Sequence, residues 1–171
     1  MITHIISSNG DTFSVYSIAI DPQGQKWFGT SAGVGVSPFA SPTDTIHQVY
    51  TSNSDSLINN YVNTIVIDAN GNKWFGTVGG VSELTVSNHW KNYSTINGLA
   101  GNWVLAITFD SQGNKWFGTG GGVSKLNGTQ WTTYTIDNGL VGTLITAIYI
   151  DQQGNKWFGT TLGVSELKSG N

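Results

Sequence analysis

Three features of the sequence predict an all-β chain. Ten nearly identical letters recur four times, at residues 21–30, 68–77, 110–119 and 151–160, with the pattern D-x-x-G-N-K-W-F-G-T and Gln25 the one departure from Asn at its place. The chain has 23 glycines, three prolines and only 10% charged residues, a turn-dense composition rich in aromatic and β-branched side chains. Alternating apolar runs flank every copy, and nowhere does the 3.6-residue period of an ordinary helix appear.

Each copy reads as two strands and a hairpin. An alternating run enters the Asp, a polar D-x-x-G-N turn follows, and K-W-F-G-T leaves it. The Asp side chain can accept from the backbone N–H groups of its own turn, and Gly24, Gly71, Gly113 and Gly154 stand where positive φ is required. Adjacent Trp and Phe on the outgoing strand point to opposite faces of the sheet. Both faces therefore need cover, as they do in a propeller, where each blade is sandwiched between two others.

The tryptophans Trp27, Trp74, Trp116 and Trp157 are spaced by 47, 42 and 41 residues, the period of propeller blades. Each period holds four strands; in the third they are 103–110, 114–119, 122–126 and 130–135, with Asn127 and Gly128 as a hairpin turn. The predicted architecture is a β-propeller of four four-stranded blades over one domain, 1–171, at about 14–51, 61–94, 103–135 and 144–167. The last blade lacks a fourth strand, and residues 2–7 read like one: Ile2 and Ile5 match Trp90 and Tyr93. An N-terminal strand that completes the last blade removes two exposed edges. Two closures fit this pattern, a four-bladed ring within one chain or an eight-bladed ring made by a homodimer; the homodimer is the expected partner arrangement.

Composition excludes several functions. Net charge is −3 and all seven basic residues are lysines, so no basic stripe for nucleic acid exists. Without cysteine there is no thiol chemistry. No apolar run approaches the roughly 18 residues of a membrane span, so no membrane contact by this segment is expected. The run Gly120-Gly121-Gly122 lacks the G-K-[ST] of a phosphate loop. Each D-x-x-G-N turn offers a single carboxylate, too few for calcium, so neither a metal nor a cofactor is expected.

Positions alike in all four copies answer to the shared blade, among them Ile18, Ile65, Ile107 and Ile148. Positions that differ are freer to serve a ligand. At the start of each first strand one column reads Ser14, Tyr61, Trp103, Leu144 and another Tyr16, Asn63, Leu105, Thr146. Aromatic rings beside amides suit a polar ligand with apolar faces, such as a glycan fragment. The candidate binding residues are Tyr16, Tyr61, Asn63, Asn102, Trp103 and Thr146; a small molecule or a partner protein is the expected ligand. Catalytic residues are not expected. His4, His47 and His89 fall on or beside outer strands, and only Asp11, Asp55 and Asp137, in loops, offer the carboxylate site that a lyase or hydrolase reading requires. A purely structural, self-assembling fragment is the third reading.

The repeated D-x-x-G-N-K-W-F-G-T followed by G-V-S-x-L, with W-x-x-Y and N-G-L before the next blade, resembles the two-component regulator propeller repeat over essentially all 171 residues. The resemblance implies the extracytoplasmic sensor part of a bacterial histidine kinase, periplasmic or outside the cell, and a ligand of carbohydrate type.

Overall fold

The computed structural model describes residues 7–8, 11–37 and 48–170. A two-stranded ladder of β1 (Ser7–Ser8) and β2 (Asp11–Thr12) precedes four antiparallel sheets. The first holds β3 (Val15–Ile20), β4 (Lys26–Thr30), β5 (Gly33–Ser37) and β6 (Gln48–Tyr50) in that order. The second holds β7 (Val62–Ile67), β8 (Lys73–Thr77), β9 (Val81–Leu84) and β10 (Trp90–Tyr93). The third holds β11 (Val104–Phe109), β12 (Lys115–Thr119), β13 (Gly122–Asn127) and β14 (Gln130–Tyr134). The fourth holds β15 (Ile145–Ile150), β16 (Lys156–Thr160) and β17 (Gly163–Leu167). These are four blades in sequence order, each a meander. Of the strand assigned to residues 2–7, residues 2–6, and with them the completion of the last blade, lie outside the described residues, while Ser7 pairs with Thr12 in the β1–β2 ladder.

The D-x-x-G-N turn closes each first hairpin as its side chains require. In the third blade Asp110 Oδ1 accepts the backbone N–H groups of Gln112 and Asn114, while Oδ2 accepts the Asn114 amide at 2.8 Å and the Trp116 indole at 2.9 Å. Gly113 turns the chain at φ 79°, a conformation that disfavours any side chain. One carboxylate thus fixes both the turn and the orientation of the buried ring.

The chain divides into two compact units, Met1–Thr77 with Ser82–Asn92 and Val78–Val81 with Tyr93–Asn171. In the first unit the Trp27 face of the first blade packs on the Phe75 face of the second, with Val34, Val62 and Ile65 between them. The two rings are 6.0 Å apart at 42°. In the second unit the Trp116 face of the third blade packs on the Phe158 face of the fourth, again at 6.0 Å, with Val123 and Ile145. Rings of this size bury roughly 150–250 Å² each and dominate the interior.

Two scaffold expectations fail at the same kind of place. Ile18 is 63% exposed although Ile65 and Ile107 are buried, and Trp157 is 37% exposed although Trp27, Trp74 and Trp116 are buried. Ile18 lies on the Phe28 face of the first blade and Trp157 on the outer face of the fourth. Among the described residues, no blade of the same compact unit covers either face.

Candidate functional site

All four first strands carry a register shift at one position: between Val15 and Ser17, Val62 and Thr64, Val104 and Ala106, and Ile145 and Ala147. The residues left out of the ladder are Tyr16, Asn63, Leu105 and Thr146, the variable column singled out in the sequence. A bulge frees its extra residue from cross-strand pairing and re-aims its side chain. This is the physical reason why that column tolerates four different residues in four otherwise matching strands.

In the first compact unit the bulge brings two tyrosines together. Tyr16 and Tyr61 stack with centroids 4.9 Å apart at 23°, and the Tyr61 hydroxyl donates to the Tyr16 oxygen at 2.7 Å. Both remain exposed, at 45% and 38%. That hydrogen bond, with a little burial, raises the Tyr61 phenol above its ordinary range. Beside the pair, Tyr61 N–H donates to Asn59 Oδ1 at 2.8 Å and Ser52 N–H to Asn60 Oδ1 at 2.7 Å. Both amide oxygens thus hold the loop. Asn63 is half-buried on β7.

In the second compact unit the outcome is mixed. Trp103 is 47% exposed, its carbonyl accepting the Gly120 N–H at 2.8 Å, and its ring lies over Gly120, where a Cβ would stand 3.5 Å from Cε3. A side chain at Gly121 would collide with the Ala100 carbonyl, so the glycine run serves close packing of a hairpin. Asn102 is used structurally: its Oδ1 accepts the Thr95 N–H at 2.8 Å. Thr146 is exposed and donates to the Gly159 carbonyl at 3.3 Å.

The sequence reading missed a second feature of the first unit. At the far end of β3, roughly five residues and some 17 Å from Tyr16, a polar cavity of about 400 Å³ is lined by residues that include Asp21, Gln25, Tyr50, Lys73, Thr85 and Asn88. Its floor is charged and buried: Lys73 Nζ lies 3.7 Å from Asp21 Oδ2 and 5.1 Å above the Trp27 ring. Gln25 explains the pairing. In the other three blades the Asn at this place donates its amide to the turn carboxylate, at 2.8–2.9 Å. Gln25 makes no such bond among the described residues, and Lys73 approaches the same oxygen instead. The signal was legible, since Gln25 is the single break in the repeat.

For catalysis the described residues offer little. No three His, Cys, Asp or Glu side chains among them form a group able to hold a metal. Asp55 accepts the Thr51 N–H at 2.9 Å and the Ser54 hydroxyl at 2.7 Å, which makes it a loop cap. Asp137 lies in a short 3-10 turn, Ile136–Asn138. His89 sits exposed in a hairpin with Nδ1 3.0 Å from the Ser87 hydroxyl, and His4 and His47 lie outside the described residues. No helix among the described residues is long and apolar enough to cross a membrane.

Residues 56–79 match the two component regulator propeller family. That stretch holds the second copy of the repeat. Over 96% of its length the chain is similar to the extracellular domain of BT3049 from B. thetaiotaomicron, described as a hybrid two component system, at 29% identity and TM-score 0.85. It covers 23% of that chain. The extracellular domain of BT4673 from the same organism, described as a one component system, is similar at 18% identity and TM-score 0.55, with 98% of this chain and 32% of that one covered. A virginiamycin B lyase from Staphylococcus aureus, crystallised with Quinupristin, shares the fold at 16% identity and TM-score 0.69, with 98% and 59% covered. The chain thus spans less than a third of either extracellular domain and about three fifths of the lyase. No curated protein is significantly similar to it. In the repeat as it stands here, the motif residues form turn and core, and function has to reside in what varies around them.

Proposed function

We propose that the chain is a non-enzymatic recognition module, part of an extracytoplasmic sensor, that binds a small polar ligand of glycan type on the surface where its first strands begin. One observation carries this reading: a stacked, hydrogen-bonded pair of tyrosines from neighbouring blades, Tyr16 and Tyr61, stays exposed where a bulge has released the chain from its ladder. A packed core would have buried such rings. An exposed aromatic plane bordered by Asn59 and Asn60 offers a sugar ring an apolar surface for its C–H face and donors for its hydroxyls. Similarity to the extracellular domain of a two component system supports the assignment to sensing. Within the second compact unit, Trp103 is exposed at the matching place in the third blade and offers an aromatic surface of its own.

The test is calorimetric titration with a panel of neutral and acidic oligosaccharides. A binder from the panel should lose at least tenfold in affinity with Tyr61→Ala, whereas Tyr61→Phe, which keeps the stack and loses only the hydroxyl, should stay within a few-fold. Binding that survives Tyr61→Ala unchanged removes the tyrosine pair from recognition. Silence across the panel, with binding of a protein partner through the same residues, replaces the glycan by a protein ligand.

A further inference from the structure

The cavity beside Asp21 is lined by residues of the first compact unit alone, at the other end of β3 from the tyrosine pair. Its floor departs from the repeat. Lys73 is 8% exposed, while the matching Lys26, Lys115 and Lys156 are half-buried. Burial takes the ammonium out of water and leaves its three N–H groups in need of acceptors.

The partner at hand does not supply one. Asp21 is itself buried, and the 3.7 Å from its Oδ2 to Lys73 Nζ is an ion-pair distance too long for a hydrogen bond. The Asp21 oxygens already serve other donors: Oδ1 takes the backbone N–H groups of Gln23 and Gln25 at 3.1 and 2.9 Å, and Oδ2 takes the Trp27 indole at 3.1 Å. On its other side Lys73 meets the Trp27 ring, which attracts the charge but offers no lone pair. Among the described residues Lys73 Nζ makes no hydrogen bond. The second compact unit shows the arrangement without this break. There the Asn114 amide fills Asp110 Oδ2 at 2.8 Å, and Lys156, 5.5 Å above the Trp116 ring, forms no ion pair with that carboxylate.

We infer that the cavity is a second binding site, for a small molecule that carries a carboxylate, with a carboxylate oxygen on Lys73 Nζ. The acidic member of the buried pair is saturated and the basic member is not, so a ligand has to bring acceptors. Lys73 then bridges two carboxylates, that of Asp21 and that of the ligand. Gln25 and Asn88 line the same cavity, and their side-chain amides, unbonded among the described residues, add further donors. A carboxylate is favoured over a neutral hydroxyl or amide because its oxygens only accept, as a donor-only ammonium requires, and because hydrogen bonds between charged groups are roughly twice as strong. A volume of about 400 Å³ is near the lower end of small-molecule sites, roughly 300–1,000 Å³, which suits a single small acid rather than a polymer.

Titration of ¹⁵N-labelled protein with lactate, succinate and glucuronate, each beside its neutral amide, tests this on the unmodified chain. The Trp27 indole N–H reports on the site, since it donates to the oxygen that Lys73 faces; the Trp116 indole, in the second unit, is the control. At least one acid should move the Trp27 resonance to saturation, with Trp116 unmoved and the matching amide at least tenfold weaker. Lys73→Met, which keeps the length of the side chain and removes its charge, should weaken that acid at least tenfold, and Tyr61→Ala should leave its affinity unchanged. A Trp27 resonance that no acid moves overturns the inference. So does an amide that binds as tightly as its acid, or a Lys73→Met variant that binds as wild type does. Loss of the acid in Tyr61→Ala also overturns it and assigns the ligand to the tyrosine pair. Should Lys73→Met fail to fold, the comparison of acid with amide on unmodified protein decides.

Discussion

The turn carboxylate is the residue on which each blade depends most, and Asp110→Asn is the perturbation that isolates it. The substitution keeps shape and removes charge. Both Asp110 oxygens face only donors: two backbone N–H groups at 3.0 and 2.9 Å on Oδ1, and the Asn114 amide and Trp116 indole at 2.8 and 2.9 Å on Oδ2. Whichever way an asparagine amide turns, its NH2 group meets two donors and both bonds are lost. A hydrogen bond to a charged group contributes about 1.5–3 kcal/mol, so two amount to about 3–6 kcal/mol. Water reaches part of this turn and satisfies some of the stranded groups, which reduces the expected loss to about 2–4 kcal/mol.

Urea unfolding followed by tryptophan fluorescence at pH 7 measures that loss, and a thermal scan should show a midpoint roughly 5–15 °C lower. Acid provides the internal control. Burial pushes the Asp110 carboxyl up, but hydrogen bonds from Trp116, Asn114 and the turn backbone outweigh it and hold the group below the usual carboxylate range. Below that folded value the wild-type group carries a proton and also opposes a donor to a donor, so the gap between wild type and variant should close. A loss under about 1 kcal/mol at pH 7, or a gap of constant size from pH 7 down to pH 2.5, would refute the account.

Three further predictions follow from the same geometry. Asp68, like Asp110, has its carboxyl raised by burial and lowered further by its hydrogen bonds, and Asp151 is lowered chiefly by the Trp157 indole. Their stabilisation is complete above the unfolded value near 3.9 and is lost as pH falls through the folded values, so the thermal midpoint should be flat from about pH 6 to 5 and drop below about pH 4. Gln25→Asn should restore the amide bond to Asp21 seen in the other blades and raise stability by about 0.5–1.5 kcal/mol; urea unfolding that shows no gain counts against the reading of Lys73 as a substitute partner. Gly128→Ala, at φ 58° with nothing within 4 Å, should cost only about 1 kcal/mol of backbone strain. Gly122→Ala, at φ 132° and against the Tyr134 carbonyl, should cost several times as much by the same urea assay.

What the sequence made legible was set by local chemistry. The Asp turns, the Trp and Phe facing opposite ways and the meander of each blade follow from hydrogen bonding and alternation within some forty residues. The column at Tyr16, Asn63, Leu105 and Thr146 was legible as variable, but not as a bulge, because a bulge is a property of two strands in register and leaves no mark on one. For the same reason the stack of Tyr16 on Tyr61 appears only once neighbouring blades are in place. The cavity beside Asp21 was missed although one of its lining residues, Gln25, stood in plain view as the break in the repeat: Lys73, which approaches the Asp21 carboxylate there, comes from the next blade.

Exposure of the repeat residues shows most clearly where local reasoning ends. Trp116 and Trp157 occupy identical motifs, donate to equivalent carboxylates at 2.9 and 3.0 Å, and lie on strands of the same length. Their own hairpins treat them alike. One is 1% exposed and the other 37%, because burial belongs to the joint between blades and a joint needs both halves. The repeat therefore encodes an interface as firmly as it encodes a strand pair.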